Sequence, residues 1–351
     1  MENKNLLTIA QNFNIGGIKS ISKFGKGTIN DTYLVKTQSG SNHVLQKQHK
    51  VFKPFLLNDI EVITSYLHKK GFTTPRVIKT TLGKLYLKKN GDCWRMLTYI
   101  PGKCFEQGLN AKLAFSAATL MGNFHATLSN LNYEFKHQLV DFHNTPAKIS
   151  KLKKILQKFK GTSKYKTLYP LSKFVLDQYE DIEKGIDHLP NRIIHGDLKI
   201  NNVRFDARGT NAIALLDLDT IARHKIVIDL GDAVRTWCNQ ADEGDYKNAS
   251  FDINLFKAMV DGYLSSAKKF ITSEEIAAIP EGIETILLEI SARFITDAFE
   301  ESYFKLDSKK YSDLFEQNQS KARAQINLYK DFQKKKGQVV TIINTLCKQL
   351  S

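Results

Sequence analysis

IIHGDLKINN, residues 193–202, sets two apolar residues in front of a histidine, an aspartate, a lysine and two asparagines. His195, Asp197 and Asn202 stand in the spacing H-x-D-x-x-x-x-N. In phosphoryl transfer one carboxylate takes the proton of the attacking hydroxyl, while a nearby amide oxygen holds a metal ion. A polar turn after a strand is the plain alternative, because these three positions arise by chance in about 4% of chains this long. Asp217 weighs against that alternative. It closes the apolar run of IALLDLDT, residues 213–220. A carboxylate there suits Mg²⁺, which prefers oxygen ligands and takes few of them from protein.

Outward from this stretch, the chain divides by period. Residues 18–24, 32–37 and 42–48 are short β-prone segments, separated by Gly25-Lys26-Gly27 and Gln38-Ser39-Gly40. Leu56, Ile60, Ile63 and Leu67 then share a helical face, and Gly71 follows as a stop. Residues 77–87 and 94–99 return to strand character. Ile100-Pro101-Gly102 breaks the pattern. Beyond it, residues 109–128 read as a helix with Leu113, Ala117, Leu120 and Phe124 inward, and most of the remainder is helical too. The expectation is an α+β, bilobal chain. Residues 1–99 form a small β-rich N-lobe, 100–102 a hinge, and 103–351 a larger, mainly helical C-lobe.

Composition narrows the function classes. The 351 residues are 42% apolar and 25% charged, as in a soluble globular protein with a sizeable core. MENKNLLTIAQNF lacks the pattern of a signal peptide, and no apolar run is long enough to span a bilayer, so a cytoplasmic protein is expected. Cys93, Cys104, Cys238 and Cys347 form no CxxC and read as free buried thiols. The net charge of +15 is mostly lysine spread along the chain, without a zinc finger or an aromatic RNA-binding motif. Neither a nucleic-acid nor a membrane partner is expected. Residues 147–160 place Ile149, Leu152, Ile155, Leu156 and Phe159 on one face beneath a lysine-rich one, as a solvated surface helix does.

The segments FGKGTINDTYLV, VLQKQHKVFKP, HGDLKINNVRFD, LLDLDT, DLGDAVR and SARFITDAFEESYFK span most of the chain, from Phe24 to Lys305. In them the chain resembles the aminoglycoside phosphotransferase and choline kinase superfamily, which has a protein-kinase-like fold. Within it, the chain is most similar to the N-acetylhexosamine 1-kinase group.

The resemblance implies ATP and Mg²⁺, with Asp197 as catalytic base and Asn202 and Asp217 as metal ligands. It implies that His195, Asp229 and Asp232 brace the catalytic loop. Gly25 and Gly27 would approach the nucleotide phosphates. Thr98, Tyr99 and Ile100 would offer backbone groups to adenine. For the strand lysine that meets the α- and β-phosphates, the register admits Gln46 or Lys47, with Glu61 as the partner of Lys47. Lys199 is a candidate to neutralise the moving phosphoryl group. Asn30, Asp31, Asp219 and Arg293 are the candidates for the acceptor, although an Asx turn and an i, i+4, i+8 ladder of Glu289, Arg293 and Asp297 explain some of them equally well. The expected activity is transfer of the γ-phosphoryl group to a sugar hydroxyl, the anomeric one of an N-acetylhexosamine or related hexose. An aminoglycoside, choline or amino-alcohol acceptor and a catalytically silent nucleotide-binding protein are the alternatives. Monomer and dimer are both open.

Overall fold

The computed structural model describes residues 2–25, 29–137, 139, 141–180, 182 and 185–350. Two compact units emerge, each containing non-contiguous chain. The first comprises Met1–Pro101, Asn132–Leu139 and Ala214–Asp219; the rest of the chain forms the second. This unit holds two later segments besides the N-lobe expected over residues 1–99.

The first unit opens with α1 (Glu2–Ala10), a helix that strand periodicity in this region did not foretell. There follow β1 (Ile18–Lys23), β2 (Asp31–Thr37), β3 (Asn42–Gln48), α2 (Leu56–Lys69), β4 (Val77–Ile78), β5 (Leu87–Lys89) and β6 (Asp92–Thr98). The strand expected over 77–87 is thus only its two ends. All pairings are antiparallel, in the order β1-β2-β3-β6-β4, with β5 also on β6. Side chains alternate across each strand, so the register assigns faces. Val35, Leu45, Trp94 and Met96 fall on one face and form a core with Leu6, Ile9, Ala10 and Phe13 of the N-terminal segment. Gln46 and Arg95, directly paired across β3 and β6, take the other face. Residues 132–139 join this unit through Asp59 of α2. Its carboxylate is fully buried and accepts from the Tyr133 hydroxyl and the backbone N–H groups of Lys136 and His137.

The second unit contains α3 (Ala111–Ser129), α4 (Thr145–Lys158), α5 (Ser163–Glu180), β7 (Asn191–Ile194), β8 (Val203–Phe205), β9 (Ala212–Leu215) and β10 (Ala222–Lys225). Then come α6 (Ile226–Trp237), α7 (Ile253–Ala267), α8 (Ser273–Ala277), α9 (Ile279–Glu300) and α10 (Leu314–Leu350). Strand β9 continues into Ala214–Asp219 of the first unit. Side-chain caps start several helices: Asn110 accepts from Leu113 N, Asn144 from Ala147 N, and Thr272 and Glu275 form a reciprocal capping box. Helix α9 is buried on nearly every side and is the core of this unit. Helix α4 buries Ile149, Leu152, Ile155 and Leu156 and packs on α9, leaving most of its lysines to solvent. Among the described residues no helix is long and apolar enough to cross a membrane. Of the cysteines, Cys238 is buried, Cys93 is partly buried and Cys104 is exposed, so burial is not general.

Helices α6 and α9 meet through two glycines. A Cβ at Gly231 would lie 2.5 Å from the Gly282 carbonyl oxygen, and one at Gly282 would lie 2.3 Å from that of Val227. Backbone can approach backbone this closely only without side chains. Gly282→Ala is expected to destabilise the protein by about 1–3 kcal/mol through overpacking. Urea denaturation measures this; an unchanged midpoint would contradict it.

Candidate active site

Strand β7 delivers IIHGD into a loop whose backbone is tied down residue by residue. Arg192, at the strand's start, makes a two-point contact with Glu275 at 2.9 and 3.0 Å. The Asp229 carboxylate accepts from the His195 N–H at 2.5 Å and the Gly196 N–H at 2.7 Å. Asp229 is itself held by His125 at 3.0 Å, and His125 by Tyr263 at 3.1 Å. Thr220 donates its hydroxyl to the His195 carbonyl at 2.8 Å. Past the loop, Trp237 donates to the Leu198 carbonyl at 2.8 Å. Gly196 has φ +82°, and a Cβ there would meet the Thr220 carbonyl at 2.5 Å, so both conformation and space select glycine.

These anchors present Asp197 with its side chain 22% exposed. Lys199 Nζ lies 2.8 Å from its Oδ2. Asn202 donates its amide nitrogen to the Asp197 carbonyl at 2.8 Å and to Oδ2 at 3.1 Å. Burial alone would raise the Asp197 pKa, but Lys199, His195 and Arg235 outweigh it and hold the carboxyl below its ordinary value. An ionised carboxylate able to accept a proton results. His195 is fully buried, its ring 6.1 Å from that of Phe124, and its Nδ1 accepts from the Asp197 N–H at 3.3 Å. It braces the loop, as does Asp229. Asp232 does something else. One of its oxygens pairs with Arg235 at 2.8 Å, and the other is buried without a hydrogen-bond partner.

In the first unit, Asp217 is exposed and has φ +59°. Left-handed backbone is rare outside glycine, though aspartate and asparagine tolerate it best. Asp219 lies two residues on and is 1% exposed. Its carboxylate is gripped by both terminal nitrogens of Arg95, one at 2.8 Å. Arg95 Nε donates to Gln46 Oε1 at 2.8 Å, and Gln46 donates to Thr32 at 3.1 Å. Asn30 completes the group: its amide nitrogen donates to Asp219 at 2.9 Å and its oxygen accepts from His49 N–H at 2.9 Å.

Several sequence expectations change here. Lys47 shares the sheet face of Leu45, which packs on α1, and it pairs with Asp31 at 3.8 Å and Asp92 at 3.6 Å. Glu61 instead pairs with Arg76 at 3.8 Å. No Lys47–Glu61 pair forms, because each has other partners. Gln46 holds the opposite face, and the cation there is Arg95. Asn30 and Asp219 are buried and bonded to each other, and Asn30 uses both its amide nitrogen and its oxygen within the protein. Asn30, Asp31 and Asp219 belong to the first unit, where Asp31 sits across from Lys47, and Arg293 belongs to the second. Thr98 gives its N–H to the Arg76 carbonyl and accepts at its hydroxyl from the Arg76 N–H, both at 2.9 Å, which removes its N–H from any role at adenine. Tyr99 packs edge-on against Phe24 at 5.9 Å, beside Gly25, and Ile100 is buried. Gly27 lies outside the described residues. The ladder Glu289, Arg293, Asp297 is not a surface one. Glu289 and Asp297 are buried, and Asp297 caps the N–H groups of Ser302, Tyr303 and Phe304. Arg293 lies 3.9 Å from Glu289 and over the rings of Phe142 and Tyr303.

Two buried residues of these networks went unseen in the sequence, Arg95, which grips Asp219, and His143, which meets Glu289 and the Gly196 carbonyl. The only hint of the first is an arginine in the alternating strand DCWRMLT; a lone histidine before Asn144 gives none.

The fold compares well with solved kinases. The microcompartment-associated aminopropanol kinase superposes with a TM-score of 0.65 at 15% identity, over 95% of this chain and 98% of that one. Choline kinase from Cryptosporidium parvum Iowa II gives 0.63 at 13%, over 98% and 99%. Amicoumacin kinase hAmiN, solved with AMP-PNP, Ca²⁺ and Ami, gives 0.62 at 12%, over 92% and 93%. At such identities the likeness establishes the fold, a protein-kinase-like α+β architecture. In sequence, a homoserine kinase of Allorhizobium ampelinum is 34% identical over 92 residues. That match spans about a quarter of each protein, 26% of this chain and 26% of the relative. The model of the phosphotransferase enzyme family matches residues 20–258, which include the glycine loop, Arg95, the Asp197 loop and Asp217. With more than half of its length covered, the chain belongs to the phosphotransferase enzyme family.

Proposed function

We propose that this protein is an ATP- and Mg²⁺-dependent small-molecule kinase whose acceptor is a neutral sugar, phosphorylated at the anomeric hydroxyl of an N-acetylhexosamine or related hexose. The observation that carries the kinase reading is the Asp197 carboxylate, ionised and held by Lys199 and Asn202. Asp197 takes the proton of the attacking hydroxyl, and that proton leaves with the product or solvent. Lys199 offsets negative charge on the transferring group, which is where such sites gain most.

The donors present suit Mg²⁺. Asn202 spends its amide nitrogen on Asp197, so the amide oxygen is what it offers a cation. Asp217 adds an exposed carboxylate. Asn202 and Asp217 would hold Mg²⁺, which when bound would neutralise negative charge on the phosphoryl group.

For the acceptor, charge favours a neutral molecule. Glu289, Asp232, Asp229 and Glu243 each already face a cation or a histidine in the second unit. Arg293 and Lys199 add positive charge. A cationic aminoglycoside or choline needs acidic or aromatic recognition that these committed carboxylates do not supply. A second reading, a hydroxyl-bearing amino acid or amino alcohol, draws on the stretch shared with the homoserine kinase.

An ADP-release assay over hexoses, N-acetylhexosamines, homoserine and other amino alcohols, and aminoglycosides, with and without EDTA, tests both. Turnover of amino alcohols alone removes the sugar assignment, and no turnover of any class removes the kinase one. Replacement of Lys47 by Met is expected to change kcat and the KM for ATP by less than about fivefold, since exposed ion pairs contribute about 0–1 kcal/mol. A larger loss would return Lys47 to the nucleotide site.

A further inference from the structure

His143 lies just before α4, 6% exposed, with both ring nitrogens on acceptors. Nδ1 is 3.0 Å from Glu289 Oε1 on α9, and Nε2 is 2.7 Å from the carbonyl oxygen of Gly196. Gly196 immediately precedes Asp197. A neutral imidazole carries one N–H and one lone pair. In either tautomer it would therefore point a lone pair at an acceptor, the Glu289 carboxylate or the Gly196 carbonyl. Only the doubly protonated ring donates to both.

The surroundings agree. Glu289 is fully buried and also accepts from the Thr145 hydroxyl at 2.6 Å. Burial opposes its charge, but His143, Arg293 and Thr145 outweigh that and hold it down at about 2. For His143, burial alone would lower the pKa. The charge and hydrogen bond of Glu289, with Asp232 and the Gly196 carbonyl, more than offset this and keep it above 6.5. The other ionisable neighbours are His224, with its ring 6.5 Å away and its own pKa lowered by burial and by His143, and Arg293 and Lys148 beside Glu289. The Asp229 brace fixes the N–H side of Gly196, and nothing else described fixes its carbonyl.

We propose that His143 is a positioning residue for the catalytic loop: as an imidazolium it ties the Gly196 carbonyl to Glu289, and turnover falls when the ring loses its second proton. This rests on the kinase reading. The sign follows from the geometry. The folded ring holds its proton more tightly than a free one, so the contact is complete below pH 6.5 and is lost as pH rises through the folded midpoint.

Two measurements test it. The first is an NMR titration of the His143 ring in the intact protein, which needs no substrate. The ring is expected to stay doubly protonated above pH 6.5, and a midpoint below 6.5 overturns the proposal by itself. The second is the pH dependence of kcat in the wild type and in Glu289→Gln. The wild type should lose activity by about tenfold per pH unit above the ring's midpoint. In Glu289→Gln the amide can donate to Nδ1, so a neutral ring still donates to Gly196. That variant should keep kcat within about tenfold of wild type and show no such fall up to about pH 9. An alkaline fall with an unchanged midpoint in Glu289→Gln assigns it to another group and sinks the proposal. If Glu289→Gln does not fold, the ring titration in the wild type decides. Failure of every acceptor would remove the kinase reading and leave the ring's charge measurable, so the two failures are distinct.

Discussion

Asp197→Asn is expected to lower kcat by about 10²- to 10⁴-fold, the range a positioned general base contributes. That corresponds to about 3–5 kcal/mol in the activation barrier. The substitution preserves shape, and its amide oxygen can still accept from Lys199, now 2.8 Å from the carboxylate. The loop itself is held mainly through backbone groups, by Asp229, Thr220 and Trp237. Fold and nucleotide affinity should therefore be nearly unchanged. Steady-state ADP release, with thermal denaturation as a control, separates the outcomes. A variant that keeps full rate would remove Asp197 from the chemistry. One that loses rate only because it unfolds would leave the role unsupported.

Arg95→Leu has the largest expected effect on stability. It strands Asp219, 1% exposed, with Asn30 as its remaining partner. Breaking a buried pair on one side costs about 3–5 kcal/mol, far more than the intact pair is worth. A double variant, Arg95→Leu with Asp219→Leu, should recover a good part of the loss, because no buried charge then lacks a partner. Urea denaturation of the two single variants and the double measures this coupling. Additive losses would mean that the two side chains act independently, against the contacts seen. Arg95→Lys should also fail to restore the site, since a lysine cannot reproduce the two-point grip and the bond to Gln46 together.

How far could these residues have been read in advance? Strand β3 runs Asn42–Gln48, as its alternation implies, and the Asp197 loop follows an apolar strand. Both are local signals. Alternation also shows that Leu45 and Lys47 share one face, but it cannot say which face α1 will cover. That depends on Leu6, Ile9 and Ala10, whose helical run is short and lies in a region of strands. Lys47 and Glu61, paired in expectation, each take other partners. Asn30 and Asp219 meet across 189 positions, and Arg95 and Asp219 across 124. Each is polar, and each looks equally suited to solvent, ligand or partner until the fold closes. The same holds for His143, which gains meaning from a carbonyl 53 residues away. Motif spacing recovers groups that act through a shared loop; it is silent on groups that support them from elsewhere.

The left-handed backbone at Asp217 bears on how the protein can change over time. Under the metal role proposed for Asp217, position 217 is filtered twice, once by its backbone and once by its carboxylate. Few side chains tolerate that conformation: glycine does so freely, and asparagine and aspartate at modest cost. A lineage that abandons catalysis while keeping its fold therefore has a narrow exit, through asparagine or glycine. Asparagine at this position in a descendant would mark lost chemistry with an intact turn, whereas a β-branched residue would mark a turn rebuilt.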